Sequence, residues 1–413
     1  MINPAIIIIA YNRPDSLKRL LTSLERADYK EKTNIPLIIS IDKVREPEDN
    51  NRSSTKEINA KALNEKVVDV AEKFDWSHGS KKIILQDTNL GLKKHVLKCG
   101  NLVSEYENII VLEDDLYVAE SFYEYACEAL FFTKDDEKIA GVSLYNHLFN
   151  VNVREPFQAL DDGYDNYFLQ FASSWGQAFT KVQWESFAKW LEINDGKDLK
   201  ATDMPEFVSS WSDKSWLKYC IRYVIETDKF FLYPRISFTT NFSDEGTHET
   251  EANTNFQVPL SGKIKRKMFF SNTENSESVY DAFFENIKIK NKLISVIEQL
   301  KPEVNIAFQN TKAETTENDI EIDLYGYKPV SKKRYLLSSK AYSFKRIKEY
   351  GRILRPVDAN ILNNAEGKDF FLYDTLKEAT APAQTDSQRV LYNYRALNLK
   401  KITKVLSYRI FGK

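Results

Sequence analysis

Short apolar, β-branched runs recur through the first 115 residues, and each is followed by a stretch with helical period. Residues Ala5 to Ala10 read as a buried strand. A turn at Tyr11-Asn12-Arg13-Pro14 follows, with Asp15 or Ser16 as the expected N-cap, and Leu17, Leu20, Leu21 and Leu24 then share one helical face. A second strand is expected from Ile35 to Ile41, ending at Asp42, and a helical stretch from Glu57 to Phe74. Lys82 to Leu85 is a third strand, Asn89-Leu90-Gly91-Leu92 a turn, and Lys93 to Glu105 a helix. Asn108 to Leu112 is the fourth strand and stops abruptly at three consecutive carboxylates, Glu113-Asp114-Asp115. Strands alternating with helices imply βαβ units and a parallel sheet. In such sheets ligands bind beyond the carboxyl ends of the strands. Asn12, Arg13, Asp42, Asn89 and Asp114 all follow strand ends, so four loops aim polar residues at one edge.

After residue 116 the pattern changes. Ser121 to Phe132 reads as an amphipathic aromatic helix, residues 140–250 as short strands and loops, Ser276 to Leu300 as a helix, and Thr311 to Asp319 as a polar loop. Ser331 to Leu354 interleaves eight Lys and Arg with aromatic and aliphatic residues, and Leu399, Ile402, Val405, Leu406 and Ile410 line one face of a basic terminal segment. Basic amphipathic segments of this kind can lie on anionic lipid or pack on a neighbouring domain. The expected organisation is 1–118 and 119–260 as two halves of one α/β domain, then 261–413 as a largely helical extension.

Composition narrows the classes. Hydrophobic content of 42% and charged content of 29% over 413 residues are those of a globular chain. The net charge of −2 gives no footprint for nucleic acid. Cys99, Cys127 and Cys220 are too few and too scattered for a disulfide framework, and no Cys/His cluster has zinc spacing. The N-terminus has no basic leader or membrane-length apolar run, so a cytoplasmic protein is expected. The acidic triplet is the chemical centre of the chain. Unpaired carboxylates cost several kcal/mol each to bury, so the strand should deliver them to a rim where a cation meets them. A divalent metal holding a phosphorylated substrate answers that need, because hard cations take carboxylate oxygens.

The ordered set Ala10-Tyr11-Asn12-Arg13-Pro14, Ser40-Ile41-Asp42, Asn89-Leu90-Gly91-Leu92 and Glu113-Asp114-Asp115 resembles GT-A-fold glycosyltransferases. The resemblance is to the N-acetylglucosaminyltransferase I type and bacterial surface-polysaccharide enzymes, over about residues 1–250. It implies an α/β fold with a mixed, mostly parallel central sheet flanked by helices. It implies an inverting transfer from a UDP-sugar, UDP-N-acetylglucosamine or a related hexose, to a glycan or lipid-linked glycan acceptor; the basic C-terminal tail can bring a cytoplasmic enzyme to the inner face of the cell membrane. By this resemblance Asp115 ligates Mn²⁺ or Mg²⁺, Glu113 and Asp114 contact sugar and ribose, Arg13 meets the nucleotide, Asp42 reads the uracil ring, and Lys93 and Lys94 approach the nucleotide. Ser173-Ser174-Trp175-Gly176-Gln177 resembles a loop lining the donor sugar, with Trp175 on a sugar face. Trp211-Ser212-Asp213-Lys214 resembles the segment of the catalytic base, although a lysine follows Asp213 where relatives carry a second acid. Asn241-Phe242-Ser243-Asp244-Glu245-Gly246-Thr247-His248 resembles a loop closing over the donor, with His248 toward metal or diphosphate.

Two other classes compete. A sugar-phosphate nucleotidyltransferase resembles a glycine-rich loop after the first strand, which Tyr11-Asn12-Arg13-Pro14 lacks. A non-catalytic nucleotide- or carbohydrate-binding protein on the same fold would not need both the triplet and a base. The basic tail alone, as a membrane scaffold, leaves the first half unexplained.

Overall fold

The computed structural model describes residues 2–30, 32–45, 55–197, 204–242, 256–263, 266–300, 314–329 and 332–378. It divides into two compact units, Met1–Lys288 and Ile289–Lys413.

The first unit opens with β1 (Ala5–Ala10), α1 (Pro14–Glu25), β2 (Leu37–Ile41), α2 (Thr55–Lys73), β3 (Lys81–Leu85), α3 (Gly91–Gly100), α4 (Val103–Tyr106) and β4 (Asn108–Glu113). It continues with β5 (Leu116–Val118), α5 (Phe122–Thr133), β6 (Ile139–Ser143), a short hairpin of β7 (Phe149–Asn150) and β8 (Glu155–Pro156), then β9 (Asn166–Leu169) and β10 (Gln177–Thr180). It ends with α6 (Lys181–Asn194), α7 (Glu206–Ser209), α8 (Trp216–Glu226), β11 (Phe230–Pro234), β12 (Thr239–Asn241) and β13 (Val279–Tyr280). Nine of these strands form one sheet in the order β13-β9-β11-β6-β10-β4-β1-β2-β3. Pairing is parallel from β4 through β1 and β2 to β3, and antiparallel where β10 enters between β4 and β6. This is the expected mixed, mostly parallel sheet with helices on both faces.

The β1 run folds as it does because it is apolar on both sides. Ile6, Ile8 and Ala10 face one core, while Ala5, Ile7 and Ile9 face the other. A strand covered on both faces reads as a continuous apolar run rather than an alternation. The chain leaves β1 outward to β2 and β3, then returns to β4 on the other side of β1. The point between β1 and β4 is therefore where the strand order reverses, the usual place for a ligand crevice. Helix α1 begins at Pro14 rather than behind an Asp15 or Ser16 cap: the fixed φ of proline suits a first helical position, and Arg13 supplies no side-chain cap.

Two expectations for the C-terminal third are corrected. Residues 276–288 are not the start of a long helix. Val279 and Tyr280 join the main sheet beside β9, the Asp281 carboxylate accepts from the Phe283 and Glu285 amides, and helix α9 (Ile289–Leu300) begins only afterwards. Residues 266–288 thus belong with the first unit.

The second unit is not largely helical among its described residues. It holds a four-stranded sheet in the order β14-β15-β17-β16, from β14 (Ile320–Asp323), β15 (Tyr335–Ser338), β16 (Phe344–Tyr350) and β17 (Phe370–Glu378), together with α9 and α10 (Asp358–Leu362). Within the basic run, Tyr335–Ser338 and Phe344–Tyr350 are therefore strand, and no helix forms there among the described residues. Period two explains it: Tyr335 and Leu337 enter one core with α9, while Leu336 enters a second cluster with Phe371 and Tyr373. Residues 399–410 lie outside the described residues. Among those described, no helix is long and apolar enough to cross a membrane.

Candidate active site

Strand β4 is central, so its end carries the triplet to the reversal point. The Asp114 amide donates to Ile9 O at 3.1 Å, which locks the acidic turn to the end of β1. The Tyr11 amide reaches Asp114 Oδ2 at 3.4 Å. Arg13, three residues past β1, bridges two acids: one guanidinium nitrogen donates to Asp115 Oδ2 at 2.6 Å and the other to Asp114 Oδ1. Asp114 is buried, with 2% of its side chain exposed, against 20% for Asp115.

The electrostatics follow from this packing. Burial works against the Arg13 charge, but Asp114, Asp115 and Glu113 outweigh it and hold the guanidinium above its ordinary pKa. Burial pushes Asp114 up to about 6, with Arg13 pulling it back. Burial pushes Glu113 up to about 8, Asp115 and Asp114 adding to the rise and Arg13 and a Ser174 hydrogen bond opposing it. Burial thus disfavours the charged form of Glu113 more strongly than that of Asp114, which Arg13 bridges directly. Asp115 Oδ1 is buried and has no hydrogen-bond partner. A hard cation suits such an oxygen, with phosphate and water completing its shell. Among the described residues, however, no group of three or more His, Cys, Asp or Glu side chains could hold a metal.

A second cluster forms behind β2. Asp42 Oδ1 accepts from the Leu90 amide and Oδ2 from the Gly91 amide, both at 2.9 Å, so Asp42 holds the start of α3. The Asn89 side chain donates to Lys43 O at 2.6 Å. Gly91 has φ +69°, which glycine adopts without strain, and the space beside it is open. The Asp42 amide donates to Ala10 O at 3.0 Å and ties this cluster to the first. Asn12 is half-buried in the intervening turn, and Lys94 is exposed on α3.

Strand β10 runs antiparallel to β4, so the residues that begin it lie beside the end of β4. This brings Ser174 to Glu113. Trp175 packs within an aromatic group, 4.8 Å from the Tyr145 ring, 5.0 Å from Phe256 and 6.0 Å from His147. Gly176, at φ +97°, lets the chain pass Thr239, whose hydroxyl donates to Trp175 O at 2.5 Å.

Asp213 lies in the loop before α8 and is 77% exposed. The buried Lys218 amine donates to Asp213 Oδ1 at 3.0 Å and to Trp211 O at 2.8 Å. Lys93 of α3 donates to Asp213 O at 3.3 Å and lies 3.8 Å from the Tyr219 ring centre. The loop is thereby held at the first turn of α3, the helix that Asp42 caps. No ion pair among the described residues joins Asp213 to the triplet. His248 lies outside the described residues.

Sequence reasoning missed two residues here. Asn64 of α2 donates from its side chain to Tyr11 O and Asp42 O; an asparagine inside a helix is a weak local choice and was the available signal. His147 is 2% exposed, its Nε2 has no hydrogen-bond partner, and burial drives its pKa down to about 3. No periodicity marks it. Its folded pKa is below the unfolded value of about 6.5, so the unfolded chain takes the proton first and stability falls as pH drops from about 6.5 toward 3, by about 1.4 kcal/mol per unit. Between pH 7.5 and 5, urea unfolding of the wild type should therefore lose about 2 kcal/mol more than that of His147→Gln. Parallel losses would refute the assignment.

No family model matches the chain, and no curated protein matches it. Among solved structures, S. aureus TarS 1-349 is similar at 15% identity over 57% of this chain and 59% of that one, with a TM-score of 0.31. A second S. aureus TarS structure is 15% identical over 57% of this chain and 36% of that one (TM-score 0.30). TarS 1-349 in complex with UDP-GlcNAc is 14% identical over 59% and 60%, with a TM-score of 0.34. The chain thus spans less than two thirds of each of these structures. Similarity this distant carries no activity over to this chain.

Proposed function

We propose that the chain is a nucleotide-sugar-dependent glycosyltransferase of GT-A type, acting on a UDP-sugar and a glycan or lipid-linked glycan acceptor. The observation that carries this reading is the Arg13 bridge to Asp114 and Asp115 at the point where the strand order reverses. It sets a guanidinium, which binds phosphate bidentately, among carboxylates that suit a hard cation. The flanking loops supply the rest: Tyr11, Asn12, Asp42, Asn89 and Gly91 form the nucleotide wall, and Glu113, Ser174 and Trp175 the sugar wall.

In this reading Asp115 holds a divalent ion, Mn²⁺ or Mg²⁺. When bound, that ion would neutralise charge on the departing diphosphate. Arg13 binds the same diphosphate through charge-assisted hydrogen bonds. Glu113, beside Ser174, meets a sugar hydroxyl through a hydrogen bond. Asp213 accepts the proton of the acceptor hydroxyl as its oxygen attacks the anomeric carbon; the bond to UDP breaks on the opposite face, and configuration inverts.

The test is a panel of nucleotide sugars with Mn²⁺ or Mg²⁺, read by UDP release with and without glycan acceptors. Release from one or a few UDP-sugars is expected. An absence of both release and nucleotide binding across the panel would overturn the proposal.

A further inference from the structure

We infer that Asn64 is a positioning residue that sets the spacing of the nucleotide-binding loops. This inference rests on the proposed function for its ligand and on geometry for its mechanism. Asn64 sits at the middle of α2, a helix in which Ile58 and Leu63 are 58% and 37% exposed and their neighbours are mostly exposed as well. It lies on the inward face of the helix, three and seven residues before the buried Val67 and Ala71. Its Nδ2 donates to Tyr11 O at 2.5 Å and to Asp42 O at 2.9 Å. Both partners are carbonyl oxygens, which only accept, so both amide hydrogens are committed and the side chain has one workable orientation.

The two carbonyls belong to different loops. Tyr11 precedes Arg13, which bridges the acidic turn, and Asp42 carries the carboxylate that holds the start of α3. One side chain therefore joins the wall that meets the diphosphate to the wall that meets the base, beyond the strand ends where the Asp42 amide already bonds Ala10 O. Farther along α2, Val67 and Ala71 are fully buried and anchor the helix, so the clamp has a firm base. Asparagine is a poor choice inside a helix compared with alanine or glutamate. The gain lies in the cross-link, since a hydrogen-bond network that fixes loop geometry preorganises a site.

Two variants separate this role from packing. Asn64→Asp keeps the size and shape but sets a carboxylate against two carbonyl oxygens; Asn64→Ala removes the clamp. UDP affinity should fall at least tenfold in Asn64→Ala and at least as far in Asn64→Asp. Amide exchange at Tyr11 and Asp42 in the free protein should accelerate at least tenfold in both, while β11 exchanges as in the wild type. If Asn64→Asp behaved as the wild type, the role would be packing and the proposal would be wrong. Uniformly faster exchange that included β11 would also overturn it, because the effect would then be global. If the wild-type chain bound no UDP, the functional reading would fail first, and exchange at Tyr11 and Asp42 alone would judge the clamp as a structural cross-link.

Discussion

Asp115→Asn should abolish divalent-cation-dependent UDP binding and lower transfer by about 10²–10³-fold or more, the usual cost of removing one preorganised electrostatic group. The substitution is chosen for what it preserves. Asparagine keeps an oxygen that can accept from Arg13, whereas alanine would leave that half-buried guanidinium short of a partner. The unpartnered Oδ1 is the atom assigned to the cation, and an amide there carries no charge to hold it. Calorimetric titration of UDP with and without Mn²⁺ checks this directly. Cation-dependent affinity that survived in Asp115→Asn would remove Asp115 from the metal role while leaving Arg13 as the phosphate contact. Arg13→Ala would then be the informative comparison, since Asp114 and Asp115 would face each other without their bridge.

The second large effect belongs to Asp213. Asp213→Asn should reduce turnover by about 10²–10⁴-fold, the range that general-base help supplies, while UDP affinity stays within about twofold of the wild type. Its carboxylate is exposed and held on one side by Lys218, which leaves the other oxygen to meet an acceptor. The loop is also tied by backbone, because Lys93 donates to Asp213 O and not to its side chain. The substitution should therefore leave the loop in place. Single-turnover transfer from a pre-bound donor separates this outcome from slow donor binding. Turnover near that of the wild type would assign the base elsewhere.

The first half of the fold was legible because each of its elements is locally consistent. The β1, β2 and β4 runs are apolar and rich in β-branched residues, and helices form between successive strands, so propensity and burial agree. The C-terminal third was not legible for the opposite reason. In β16, Lys345, Arg346, Lys348 and Glu349 interleave with Phe344, Ile347 and Tyr350, and irregularities in its pairing with β17 break the strict alternation that would have marked a strand. Helical and strand periods fit such a segment about equally well, and only the β17 partner decides. The site divides in the same way. Polar residues after apolar runs announced which loops would meet, but not who would bond whom. The Asp42 carboxylate serves the α3 amides, and Asn64 had no strand end to advertise it.

Arg13 and Asp114 are 101 positions apart, and the strand that brings the acid is the last of the four parallel neighbours to be made. A chain that has formed only β1, β2 and β3 has the arginine but none of its partners. Closing so long a loop takes its entropic toll before any contact rewards it. The crevice therefore exists only once β4 has docked against β1. A ligand that engages both sides of that seam would favour the finished chain over its partly folded forms, so donor binding and completion of the sheet are linked equilibria.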